Sequence, residues 1–562
     1  MIIEQTEANL AEPATVRTPL ATALLHLADN RRASWHMPGH DGGFLLPEWL
    51  AGRLAAIDTT ELAETDDLNR PEGPAREAMQ LAAAAFGAGI TRFITTGSTT
   101  AIQIMLALAV GRRGRILVSR CCHQSVVHAA AMLDLDVRLL PATGYAEDSL
   151  SPADRSGSRD QDHRLALLPQ STVADVAQAI QANPGCRAIL LTSPDYYGSC
   201  ADLRQITQMA HAAGALMLVD EAHGAHLAFC PDLLPETAMT AGADICVQSG
   251  HKTLPVLTQG AYLHISAAAL TAKRLDQDDL ERLIPVFQTS SPSFPIAATL
   301  DFARAYLAEY GDRLIRRQKE RHDQFVEDLA PEWICQPWTT VHHAGTAEQT
   351  GHADWYPQVA RDPLRLILTV RDPEQVCHVR TQADRLAAAG IDIEFADLTR
   401  LVLIPSLEQT AGNWQQLARK LIAPTDSLTG VDQKLAAAAM RLRSVKLLQL
   451  EHAWRYLLAK PLDLVISPGE LLFGSTRPVS QLSDGSGLDY HQPGPNRPLR
   501  RVNLRDAVGS IAAAAILPYP PGVPLVWPGE RLDQMRVDFL GELLENRTSI
   551  SGIVQGKLLV LA

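Results

Sequence analysis

Between about Glu72 and Leu270 the chain alternates short, unbroken aliphatic runs with alanine-rich stretches of helical spacing. The runs "RILVS" (115–119), "AILLTSP" (188–194), "ALMLVDE" (215–221) and "DICVQS" (244–249) show no polar alternation, so such strands offer no face to water. Strands buried on both faces belong to a parallel sheet covered by helices. "AIQIMLALAV" (101–110) and "ADLRQITQMAHAAG" (201–214) supply the covering helices. This one pattern restricts the region to a mostly parallel α/β fold.

A chain of 562 residues is too long for one core, so further units are expected. A helix near Asp301–Asp328 leads into a smaller α/β unit: strand "LRLILTV", helix "EQVCHVRTQADRLAAAG", strand "IDIEFA" and strand "RLVLIP". A helix from Val431 to Leu458 and the loop-like "FGSTRPVSQLSDGSGLDYHQPGPNRP" precede a C-terminal α+β unit containing "YPPGVPLVWPGE". The expected division is 1–60 (a helix over 18–31 and a loop), 61–300 (large domain), 301–425 (small domain) and 426–562 (C-terminal domain). The polar stretch from Leu139 to Arg164 reads as a surface excursion.

Composition removes several functions. A net charge of −13 leaves no basic face for nucleic acid. No apolar run reaches the roughly 18 residues of a membrane span. The polar start "MIIEQTEANLAEP" is no signal peptide. Eight scattered cysteines, with only Cys121 and Cys122 adjacent, form neither a disulfide framework nor a zinc pattern. A cytoplasmic, reducing setting without metal, membrane or nucleic-acid partner is the expectation.

In an open parallel sheet ligands bind beyond the carboxyl ends of the strands, and four motifs fall there. "TTGSTTAIQ" (95–103) places Gly97, Ser98 and Thr99 at a helix start, where backbone N–H groups and hydroxyls can cradle a phosphate. A plain Ser/Thr N-cap would read the same way. "VDEAHGAH" (219–226) sets Asp220 behind buried aliphatics, where a carboxylate needs a cation or several donors. "SRCCHQS" puts His123 past another strand, and Lys252 follows "DICVQS". A lysine there either snorkels to the surface or is held inside for its chemistry, because lysine is almost never buried without a partner. Together the four fit pyridoxal 5′-phosphate. The lysine bonds the aldehyde, the carboxylate keeps the pyridine nitrogen protonated so that the ring is an electron sink, the phosphate sits on the helix start and the imidazole stacks on the ring.

Along nearly its whole length the chain resembles the Orn/Lys/Arg decarboxylases. The likeness is carried by "HMPGH" (36–40), "GSTTAI" (97–102), "LTSPDYYG" (191–198), "VDEAHGAH", "SGHKTLPVLTQGA" (249–261), "QTSSPS" (288–293) and "PYPPGVPLVWPGE" (518–530). It implies a fold type I PLP-dependent transferase-like major domain with a mostly parallel sheet, and decarboxylation of lysine, arginine or ornithine to the corresponding amine and CO2. By the same resemblance Lys252 carries the cofactor, Asp220 faces the pyridinium and His123 stacks on the ring. Gly97, Ser98 and Thr99 hold the phosphate, with Ser249 and His251 close by. His223 belongs near Asp220 or the departing carboxylate. Thr289 and Ser290 reach a neighbouring subunit's site, which implies a homodimer with composite active sites. Glu530 receives the substrate's distal cationic group.

Plainer readings stand beside these. His36 and His40 can simply tie down a loop, His226 can satisfy a local hydrogen bond, Cys121 and Cys122 can fill core, and "DRLIRRQKERHDQ" can be a solvated face. Glu530 follows Pro-Gly and can be a turn residue. Asp41 and Gln124 stand where the family often has lysine, and "DDLNRP" departs from its acidic-His-Asp-Pro arrangement. These departures bear on substrate choice rather than on the Lys–Asp–His core. The chain starts almost at "HMPGH", so a short form without the N-terminal flavodoxin-like wing domain is expected. The same fold also serves aminotransferases and acyl-CoA-condensing synthases, and a catalytically silent regulatory homologue is the remaining alternative.

Overall fold

The computed structural model describes residues 28–29, 32–62, 64–142, 171–335, 338, 360–421, 431–460, 462–473, 499–519, 522–546 and 548–561. Most of the N-terminal helix expected over 18–31, most of the polar excursion ending at Arg164 and the loop 474–498 lie outside the described residues.

After a short strand β1 (Ala33–Trp35), the chain builds a seven-stranded sheet from β2 (Ile90–Ile94), β3 (Arg115–Ser119), β4 (Asp136–Leu140), β5 (Ala188–Thr192), β6 (Leu216–Asp220), β7 (Ile245–Gln248) and β8 (Ala261–Ile265). Their spatial order is β2-β8-β7-β6-β5-β3-β4. β4, β3, β5, β6 and β7 run parallel, β8 is antiparallel to β7, and β2 is antiparallel to β8. The unbroken aliphatic runs are explained by burial on both sides. Ile116, Val118 and Leu218 pack with Ile102 and Met105 of helix Gly97–Ala109, whereas Leu117, Met217 and Val219 pack with Ile206 and Ala210 of helix Leu203–Ala212. That second helix starts where Asp202 accepts from the Gln205 N–H at 3.1 Å.

The strand directions decide where chemistry can occur. Because β2 runs with β7, the segments leaving β2, β3, β5, β6 and β7 all emerge at one edge. They carry Gly97–Thr99, Arg120–His123, Ser193–Tyr196, Asp220–His223 and Ser249–Lys252 respectively.

Helix Phe294–Asp328 then runs without a break past residue 300, so the boundary expected there falls inside a continuous helix. Beyond it β9 (Trp333–Cys335), β10 (Leu366–Val370), β11 (Ile391–Ile393), β12 (Phe395–Ala396) and β13 (Leu401–Leu403) form the smaller layer. Its four-stranded sheet has the order β12-β13-β10-β9 and every pairing is antiparallel. The single strand expected from "IDIEFA" is two: β11 pairs in parallel with β1, β12 pairs with β13, and Glu394 stands at the break between the two ladders.

The C-terminal part contains an antiparallel sheet (499–503, 553–554, 557–561), the pair 517–519 and 549–551, and helix Gln534–Glu545. Leu525, Val526 and Leu540 share one core with β10 and β13, while Trp527 enters the core of the large sheet. The segment is therefore pinned between both layers. Among the described residues no helix is long and apolar enough to cross a membrane.

Candidate active site

β7 ends at Gln248, and the one-turn helix Gly250–Thr253 behind it carries Lys252. The "HMPGH" segment lies directly on this turn. The Gly39 N–H donates to the His251 carbonyl at 2.9 Å, and a Cβ on Gly39 would sit 2.7 Å from the Thr253 carbonyl carbon. Only glycine lets the strap come so close. His40, in the same strap, accepts from the Gly43 N–H through Nδ1 at 2.9 Å.

Lys252 is half-buried, and its Nζ lies 2.9 Å from His223 Nε2. The other nitrogen of that ring, Nδ1, lies 2.8 Å from Arg365 Nη2, which also donates to the His223 carbonyl at 3.2 Å. Arg365 is fully buried, and its Nε and Nη1 have no partner among the described residues. Burial pulls the Lys252 amine down to about 8; Asp220 opposes the fall, Arg365 adds to it and Glu394 opposes it. His223 is pushed well below its ordinary value by burial, with Lys252 and Arg365 adding to the effect. The Tyr196 ring meets His223 edge-on at 4.8 Å.

Asp220 closes β6 with 1 % of its surface exposed. Its hydrogen bond comes from the Ala222 N–H at 3.2 Å. Burial raises its carboxyl, with Lys252 drawing it back. A buried carboxylate with a single backbone donor and no ion pair among the described residues asks for a cation. Beside it, His123 caps helix Gln124–Met132, accepting from the Ser125 N–H at 3.2 Å through Nδ1. Its ring is exposed although packed residues surround it, so it lines an open space, and burial together with Lys252 and His128 lowers it to about 4.

The start of helix Gly97–Ala109 reaches the lysine turn through Ser98, which meets Ser249. Gly97 has φ +92°, and a Cβ there would have no neighbour closer than 3.9 Å, so the backbone is bare on its open side. Ser249 Oγ donates to Ser98 Oγ at 2.7 Å, and Thr99 is exposed. His251 lies 3.2 Å from the Gly260 carbonyl through Nδ1 and is lowered to about 4 chiefly by burial. The arrangement is an anion cradle, an open imidazole face, a buried carboxylate lacking a cation and an amine close to neutrality. The chemistry of this donor set fits a planar, cationic, phosphate-bearing aldehyde.

Three contributors were not singled out as site residues. Arg365 precedes β10, Tyr196 follows β5, and Glu394 accepts from Tyr196 Oη at 2.7 Å and from the Met37 N–H at 3.1 Å. Arg365 and Glu394 were nonetheless visible as charges abutting apolar runs, in "LRLILTV" and "IDIEFA", the same signal that marks Lys252.

Other expected residues lie elsewhere. Thr289 and Ser290 are exposed; the Thr289 carbonyl accepts from Asn69 Nδ2 at 3.0 Å. His226 forms a buried pair with Asp362 at 2.9 Å, the local role anticipated for it. Cys121 and Cys122 are buried, and burial raises both thiols, Cys122 to about 12. Glu530 lies in a buried ion-pair cluster. It is 0 % exposed, accepts from Arg536 Nη2 at 2.8 Å and from the Trp527 N–H at 2.9 Å, and lies 3.7 Å from Arg120. In this structure the carboxylate is paired with Arg536 and lies close to Arg120.

Comparison with known proteins places this geometry. The family model "Orn/Lys/Arg decarboxylase, major domain" matches residues 18–376, and the corresponding C-terminal domain matches 495–555. "Uncharacterized protein YaaO" of Bacillus subtilis is 30% identical over 96% of both chains. An arginine decarboxylase of Bacillus anthracis is 28% identical over 95% of this chain and 94% of its own. Lysine decarboxylase LdcA of Pseudomonas aeruginosa is 25% identical over 94% of this chain and 76% of its own. The structure of the Escherichia coli constitutive lysine decarboxylase superposes with TM-score 0.67 at 20% identity, over 97% of this chain and 82% of its own.

Proposed function

Since the chain belongs to the Orn/Lys/Arg decarboxylase family, we propose that it uses pyridoxal 5′-phosphate to remove the α-carboxylate of a basic amino acid as CO2. The observation that carries this reading is the convergence of Lys252, His223 and Asp220 at one sheet edge, beside a bare helix start. When bound, the cofactor supplies an electron sink for the pair left at Cα.

The chain's own residues do the rest. Lys252 would hold the cofactor's aldehyde through its amine. Asp220 gains the cation it lacks, and a positive ring nitrogen beside it favours its ionised form. The N–H groups at Gly97–Thr99, the Ser98 and Ser249 hydroxyls and His251 would hold the phosphate. His123, exposed and close to Lys252, would line the face of the bound ring. His223, on Lys252, can pass a proton toward Cα. The exposed Thr289 and Ser290 complete a neighbouring copy's site in a homodimer.

With Glu530 committed elsewhere, Glu394 is the carboxylate offered to the substrate's distal cation. It is half-buried, fixed by Tyr196 and Met37, and couples electrostatically to Lys252. Arginine is the first substrate to try, because several relatives covered over nearly their full length are named arginine decarboxylases. Purified protein with added cofactor should release CO2 from arginine, lysine or ornithine and leave the matching amine, identified by mass. Release from none of the three, or transfer of the amino group to a keto acid, would refute the reading. Glu394→Gln should cut kcat/KM for the best substrate by about thirtyfold or more, the effect of stripping a buried charge of its partner.

A further inference from the structure

We propose that Arg365 is a positioning residue: it fixes His223 as the Nε2–H tautomer, so that Lys252 faces a hydrogen-bond donor, which favours its uncharged amine. The argument is one of donors and acceptors. A guanidinium has five N–H donors and no acceptor, and it stays protonated. Arg365 Nη2 lies 2.8 Å from His223 Nδ1, so that nitrogen must accept. An imidazolium would point a second N–H at the guanidinium, which excludes it; the ring is neutral and its proton sits on Nε2. Nε2 in turn lies 2.9 Å from Lys252 Nζ. An ammonium offers only donors, so the partner that suits an Nε2–H is an amine with a lone pair.

The fork is firmly held. Arg365 is fully buried, a second bond ties Nη2 to the His223 carbonyl at 3.2 Å, and Gly198 (φ +89°) makes the room, since a Cβ there would lie 2.9 Å from Arg365 Cβ. The charged and titratable groups facing the pair are Asp220, Glu394, His123 and His251. Asp220 and Glu394 favour the ammonium, but only through space, whereas the hydrogen-bond chain acts by contact. Lys252, lowered to about 8 mainly by burial, is shifted in the direction the chain requires. An amine lone pair is what condenses with an aldehyde: the C–N bond forms and the carbonyl oxygen leaves as water.

The chain's purpose rests on Lys252 being the cofactor lysine, but its geometry does not, and the test separates the two. Full-length, cofactor-free protein labelled with 15N in its histidines should show His223 with Nδ1 unprotonated and Nε2 protonated from pH 8 to 9, where Lys252 becomes uncharged. Formaldehyde with cyanoborohydride, read at the Lys252 peptide by mass, should label with a midpoint near 8. Arg365→Met should mix the tautomers and slow labelling at pH 7.5 about tenfold for each unit by which the midpoint rises. Arg365→Lys, which retains a donor, should keep the Nε2–H form. A wild-type ring protonated on Nδ1, or titrating in this range, overturns the proposal without needing any variant to fold. So does an Arg365→Met protein with both readouts unchanged. Absence of CO2 release with the tautomer intact would sink the decarboxylase reading and leave this one standing.

Discussion

Tyr196 and Tyr197, adjacent in "SPDYYG", point into two buried charge clusters that obey opposite rules. Tyr197 Oη donates to Asp397 at 2.9 Å. Asp397 also pairs with Arg400 at 3.2 Å and accepts from the Thr399 and Arg400 N–H groups at 2.7 Å each. Arg400 reaches Glu451 as well, which takes a further bond from Thr399 Oγ1 at 2.8 Å and pairs with Arg455. Every charge there has its opposite. Burial alone would neutralise Glu451, yet Arg400 and Arg455 hold it below its ordinary value. Tyr196 meets His223, beside Lys252 and Arg365, where among the described residues two guanidinium nitrogens have no partner and burial pulls the Lys252 amine down. Saturated charges lock a structure. Unsaturated buried ones have a use still to come, because an uncompensated buried charge is too costly to keep otherwise.

The largest effect expected from this contrast is at Lys252. Lys252→Ala should lower CO2 release by about 10⁴-fold or more, since it removes the nucleophile itself. The visible absorption of bound cofactor should disappear on dialysis, while the denaturant midpoint moves little. Asp220→Asn should follow, with a large fall in kcat and some cofactor retained. Normal turnover in either variant would erase the distinction between the clusters.

The Arg400 cluster should respond in the other currency. Glu451→Gln should destabilise the fold by about 3–5 kcal/mol, the usual cost of leaving one member of a buried pair unpaired. Because Glu451 titrates lower in the folded state than in the unfolded chain, its stabilisation is present above the ordinary carboxylate value of about 4.3. It is lost as pH falls through the lowered folded value. Urea midpoints from pH 7 down to 3 should therefore fall less steeply in the variant than in the parent. Equal slopes would show that Glu451 is not held ionised.

Glu530 sits between the two cases, and its variant sharpens the comparison. Glu530→Gln keeps an acceptor for the Trp527 N–H but removes the counter-charge for Arg536 and Arg120. A loss of about 2–3 kcal/mol is expected, with the ranking of arginine, lysine and ornithine by kcat/KM unchanged. A changed ranking at unaltered stability would return Glu530 to the substrate.

The difference between what the sequence disclosed and what it withheld follows the same division. β3, β5, β6 and β7 were legible because two-sided burial writes unbroken aliphatic runs, and Lys252 and Asp220 stood out as charges at their ends. β2 and β8 were not, because nothing in "ITRFI" or "AYLHI" encodes their direction relative to β7. The Pro-Gly-Glu motif marks a fixed turn at Glu530 but is silent about Arg120, whose approach is set by tertiary packing. Arg365 was missed for the same reason. Its meaning lies in the distance to His223, and no local pattern records that distance.

The smallest effect expected is at Gly39, where the strap meets the lysine turn. An alanine Cβ there would sit 2.7 Å from the Thr253 carbonyl carbon and 2.9 Å from the Leu254 carbonyl oxygen. Both are backbone atoms, so no side-chain rotation relieves the contact and one segment must move. Overpacking of this kind costs about 1–3 kcal/mol. The lysine turn should yield first, because it is a single helical turn whose neighbouring polar groups are incompletely paired, whereas the strap is tied to the small layer through the Met37 N–H and Glu394. Gly39→Ala should therefore lower Tm by only a few degrees while weakening cofactor retention several-fold, measured by absorbance during stepwise dialysis. If Tm falls and cofactor retention does not, the strap has moved instead, and the turn carrying Lys252 is held more firmly than its unpaired surroundings imply.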